Sequence, residues 1–98
     1  MRPGGMLAAP NQARIKARVL DVEQSTSFPD KWHCRLEVLE SNSVSGPNFA
    51  RVGEQVEGFT FGPTWDVPPQ AVVEADVEYI GDARGGQFKL SNVRVSAE

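Results

Sequence analysis

From residue 13 onward the apolar positions recur at every second place, the period of strands with one buried face. In ARIKARVLDVEQ, residues 13–24, Ile15, Ala17 and Val19 alternate with Arg14, Lys16 and Arg18. The phase then moves to Leu20 and Val22, and a single-residue slip inside an extended segment predicts a bulge. STSFPDK reverses the chain through turn formers and Pro29. WHCRLEVLE resumes the alternation, with Trp32, Cys34, Leu36 and Val38 on the inner side. The Ser, Asn, Gly and Pro content of residues 41–54 predicts a long loop.

The third strand, QVEGFTF at residues 55–61, offers Val56 and then Phe59 and Phe61 as its apolar positions, with Gly58 allowing a bend where the phase slips. The three prolines of GPTWDVPPQ exclude a helix interior. In VVEADVEYI, residues 72–80, Val73, Ala75, Val77 and Tyr79 face in while Glu74, Asp76 and Glu78 face out. In QFKLSNVRV, residues 87–95, Phe88 and Leu90 face in, and a bulge near Ser91 and Asn92 returns Val93 and Val95 to the same side.

Placing Ile80 opposite Gln87 tests the last two strands as a hairpin. Tyr79 then meets Phe88, Val77 meets Leu90, Ala75 meets Val93, Glu78 meets Lys89 and Glu74 meets Arg94. Apolar residues face apolar ones and acids face bases, the pairing that stabilises a sheet. GDARGG is therefore a hairpin connection. A phosphate cradle would need its glycines to feed a helix N-terminus, and a strand follows Gly86.

Five bent strands without room for several helices predict an all-β fold, a small five-stranded barrel with little or no helix, because closure removes exposed sheet edges. A chain of 98 residues has material for one core. Residues 1–12 are expected to form a flexible arm and residues 13–98 the single barrel domain. The bent ARIKARVLDV, the WHCRLEV strand, VGEQVEGF with its glycine, and the closing ADVEYIGDARGGQFKLSNVRV together resemble the OB-fold superfamily, in particular its small single-strand-binding and replication-type barrels. The pattern departs from that superfamily at residues 62–70, where a proline-rich stretch stands in place of the common helix.

The net charge of -3 lacks the basic excess of a protein that grips duplex phosphates. Arg14, Lys16 and Arg18 form a cationic stripe, but the resemblance pairs strand one with strand four and so sets Glu74, Asp76 and Glu78 beside it. Mutual neutralisation accounts for the stripe better than phosphate contact. The resemblance instead implies a ligand face across strands two and three, between the first and last loops. It brings Phe28, Lys31, His33, Arg35, Arg84 and Lys89 to a nucleic-acid site, with Phe28 able to stack on a base or, equally, to pin its loop. Glu37, Glu57 and Asp82 share the neighbourhood and oppose phosphate.

Other chemistry is thin. Cys34 is the sole cysteine, which excludes an intrachain disulfide and a four-thiolate zinc site. Alternation sends His33 out and Cys34 in, so the two cannot serve one metal or one nucleophilic centre. The strand-four carboxylates lack the cleft and unequal environments that hydrolysis needs. Trp65 among prolines suits a cover for one barrel end. No stretch approaches the roughly 18 apolar residues of a membrane span, and a cytoplasmic location with no membrane partner is the default. The expectation is a non-enzymatic binding module without cofactor or metal. Single-stranded nucleic acid is its first candidate partner, and a protein docked on the acidic face or a sheet edge is the second; the oligomeric state is left open.

Overall fold

Alternation over five segments becomes five strands in the computed structural model, which describes residues 10–82 and 85–96. They are β1 (Gln12–Gln24), β2 (Lys31–Ser45), β3 (Gln55–Phe61), β4 (Val72–Asp82) and β5 (Gly85–Val95). No helix occurs among the described residues, and none is long and apolar enough to cross a membrane. The strands close into a barrel in the order β1-β2-β3-β5-β4, with β4 returning to β1. All neighbours are antiparallel except β3 and β5.

The inner wall is built from the small and branched residues of the alternating pattern. Ile15, Ala17, Val19, Cys34, Leu36, Val73, Ala75, Val77, Phe88 and Leu90 are all buried in one cluster. Trp65 and Val67, from the proline-rich connection, pack against it half-buried. A barrel this small cannot curve without local slips, and the slips lie where the side-chain phase changes. Val19 faces Leu36 and Asp21 faces Arg35, leaving Leu20 as the extra residue of β1. The β4–β5 register is broken between Glu74 and Asp76, opposite the Ser91 and Asn92 bulge, and Asn92 there takes a left-handed backbone at φ 53°. Ile80↔Gln87, Tyr79↔Phe88, Glu78↔Lys89, Val77↔Leu90 and Glu74↔Arg94 pair as the sequence predicts.

Several expectations are corrected. β2 does not stop before residue 41 but runs to Ser45, because residues 41–43 and 45 find partners on β1 between Gln12 and Ile15. Val22 and Val95 keep the inner phase, opposite Cys34 and Val73, yet both are exposed rather than part of the core. Trp32 is half-buried, its indole nitrogen donating to the Gly62 carbonyl at 3.0 Å.

The largest correction concerns β3. Its register with β2 is unbroken from Lys31↔Phe61 to Glu37↔Gln55, so no slip occurs at Gly58. Val56, Gly58 and Thr60 therefore share the inner face with Cys34 and Leu36, while Phe59 and Phe61 point outward.

The start of β1 is tied down by a side chain acting as a strand. Asn11 donates from Nδ2 to the Tyr79 carbonyl at 3.1 Å and accepts from the Tyr79 amide at 2.8 Å. This continues the β1–β4 ladder beyond its last pair, Ala13↔Val77.

Candidate functional site

The outward phase of β3 creates the main surface feature. Lys31 and His33 on β2 sit opposite Phe61 and Phe59 on β3, so one outer patch collects two aromatics and two nitrogen bases. Lys89 of β5 lies beside Phe59 on its other side. Phe59 is only 8 % exposed although it is on the outside, because its neighbours cover it. Lys31 Nζ stands 4.6 Å from the Phe59 centroid, 5.9 Å from that of Phe61 and 6.0 Å from that of Phe28. Phe59 and Phe61 meet edge to face at 5.8 Å. An ammonium within about 6 Å of an aromatic face is held by the ring quadrupole.

Phe28 reaches this patch from the β1–β2 turn, whose shape follows from local hydrogen bonds. Ser25 Oγ accepts from the amides of Ser27 and Phe28 at 3.1 and 3.2 Å, and Lys31 donates to the Phe28 carbonyl at 2.9 Å. The Gly62 amide donates to the Asp30 carbonyl at 2.8 Å, joining the turn to the end of β3. Phe28 is 57 % exposed and Phe61 53 % exposed. The turn is held by its main chain and the Ser25 hydroxyl rather than by Phe28, and both rings offer open faces.

The remaining residues inferred from sequence fall in different settings. Arg35 is turned away from the aromatic patch into an ion pair with Asp21 across the β1–β2 ladder. It shares with His33 a hollow of about 460 Å³ whose other polar walls are Asp21, Glu23 and Glu57. Three carboxylates there outnumber the bases. Lys89 is flanked by Phe59 on β3 and Glu78 on β4. Arg84 lies outside the described residues. The structure thus joins Phe28, Lys31, His33 and Lys89 in or beside one patch and sets Arg35 next to it. The outward placement of Phe59 and Phe61 is hidden in the sequence, since a V-x-G-F-x-F string has no unique phase when one position carries no side chain. Their pairing opposite Lys31 and His33 would follow from counting both strands back from one shared end.

The cationic stripe of β1 is used within the fold. Arg14 Nε donates to Asp76 Oδ1 at 3.0 Å, Lys16 lies 3.7 Å from Glu40, and Arg18 donates to the Gln70 carbonyl at 3.2 Å. Asp76 is outward in phase yet buried beneath its partners, also accepting from Asn92 Nδ2 at 2.8 Å. The Asn92 and Arg14 hydrogen bonds hold its carboxyl below the ordinary value of 3.8. Cys34 lies against the core, and burial, aided by Glu57, pushes its thiol up to about 12. It is a neutral packing group rather than a nucleophile.

No protein-family model matches the chain, and no match was found among curated proteins or solved structures.

Proposed function

We propose that this chain is an OB-like module that binds single-stranded nucleic acid through the outer patch of β2 and β3, with no catalytic role. The carrying observation is Lys31 held among Phe28, Phe59 and Phe61 while two of those rings remain more than half exposed. Clustered exposed apolar rings mark interaction surfaces, and rings beside a cation suit a base together with its phosphate. Phe28 and Phe61 supply stacking surfaces, and Lys31 and Lys89 supply charge for the backbone. The barrel order, with a parallel β3–β5 closure, supports the OB-like reading.

The patch dictates a short site. Glu57 and Glu37 occupy the outer positions farther along the same two strands, so the backbone crosses the strands near Phe61 and Phe59 rather than running down them. With two lysines as the cations, the logarithm of affinity should fall with the logarithm of salt at a shallow slope of roughly -1.4, from about 0.7 per neutralised phosphate. Fluorescence anisotropy with labelled oligothymidylate at two salt concentrations tests this. Absence of binding at low salt rules the reading out.

A second reading, a protein-interaction module, has less support from the acidic face of β4. Asp76 is buried under Arg14 and Asn92, and Glu74 lies 3.5 Å from Arg94. What favours it is an open strand edge elsewhere on the barrel.

A further inference from the structure

The barrel closes through a short seam. Among the described residues β3 and β5 pair only at Gly58↔Phe88 and Phe59↔Lys89. On the N-terminal side of that seam, residues 55–57 pair with β2 and residues 86–87 with β4, each on one edge only. A strand edge without a neighbour presents a row of main-chain donors and acceptors. Here two such edges face one gap.

The gap is a cleft of about 640 Å³. Val56, Phe88, Tyr79 and Phe49 supply its apolar surface, with Glu54 and Glu57 at the rim. The aromatic wall is seated on the hairpin glycines. A β-carbon on Gly86 would come within 2.8 Å of the Tyr79 hydroxyl, and one on Gly81 within 3.0 Å of its ring. The tyrosine therefore lies over this glycine pair. Phe49 stacks on it at 4.9 Å, and Phe88 meets it edge-on at 5.1 Å.

We propose that this split seam is a docking site for an extended peptide in which a cationic residue alternates with an apolar one. Strand addition uses main-chain pairing for affinity and alternate side chains for selectivity. The apolar side chain enters against Val56 and Phe88. The cationic one meets Glu54 and Glu57, which are exposed and, among the described residues, carry no ion pair. Arg51 is the one described cation on the cleft wall, so the two carboxylates set the sign. That sign disfavours phosphate, and this site is therefore distinct from the aromatic patch and independent of its function.

The test is a titration of ¹⁵N-labelled protein with an acetylated (Lys-Val)₃ peptide and its (Glu-Val)₃ counterpart. Amide shifts at residues 55–57 and 85–87 are expected with the lysine peptide, and at least tenfold weaker binding with the glutamate peptide. Glu54→Lys with Glu57→Lys, both on exposed positions, should reverse the preference. The proposal is overturned if neither peptide binds, if the shifts fall outside the seam, or if charge reversal leaves the preference unchanged. It is equally overturned if oligothymidylate, and not the peptide, perturbs these amides.

Discussion

A β-carbon placed on Gly58 would lie 2.6 Å from Cδ1 of Leu90, so the leucine occupies the volume that a side chain at position 58 would need. The Phe88 carbonyl stands 3.2 Å from the same point. Glycine lets β3 and β5 close at their short seam, and the same close approach leaves Phe59 on the outside. Gly58→Ala should destabilise the fold by about 1–3 kcal/mol through overpacking, read as a lower urea midpoint. Shortening Leu90 to valine in the same chain should recover part of the loss; an equal loss in the double variant would place the clash elsewhere.

Phe88 is 4 % exposed and meets Tyr79 across the last hairpin. Phe88→Ala should cost about 3–5 kcal/mol, measured by equilibrium denaturation. A near-neutral result would contradict its place in the core.

Phe28 and Phe61 carry little packing and, in the proposed function, much of the binding. Each alanine variant should lower oligothymidylate affinity by about 1–3 kcal/mol while leaving the urea midpoint nearly where it was. Loss of stability without loss of affinity would assign both rings to holding the loop and strand end in place.

The Asp76 carboxyl is held below its ordinary value in the folded barrel, first by Asn92 and then by Arg14. The unfolded chain therefore takes up this proton at a higher pH than the folded one, and stability falls as pH drops. The contribution is complete above the unfolded value of 3.8 and drains away as pH descends through the lower folded one. Asp76→Asn should be less stable than the parent at neutral pH, with the gap narrowing below about pH 4. Denaturation curves from pH 7 to pH 2 check it, and a gap independent of pH would remove Asp76 from the acid response.

With its thiol pushed up to about 12 and its side chain buried, Cys34 should resist a disulfide reagent such as DTNB at pH 8 in the native protein. It should react fully in guanidinium chloride. Rapid native labelling would mean that the hollow beside His33 opens to the sulfur.

Much of the barrel was legible along the chain because side-chain period reports directly on which face is buried. Val77 against Leu90 and Tyr79 against Phe88 follow from counting through a hairpin whose connection is short. The bulge at Leu20 shows as a one-residue change of phase. Asp76 was legible only in part: its outward phase is correct, but its burial depends on Asn92, whose left-handed turn aims the amide at it.

What the linear pattern settled by itself is the number of strands, their alternation, most of the core and the absence of a helix in the prolines, each a matter of local backbone preference and period. The tertiary structure alone decided which side of β3 is inside, how far β2 extends, and where the seam parts. These depend on contacts that a linear pattern does not show: Leu90 filling the space above Gly58, β1 offering partners to residues 41–43 and 45, and Tyr79 lying on Gly81 and Gly86. A glycine gives no sign of its own orientation, so only the neighbour that takes its place can determine it.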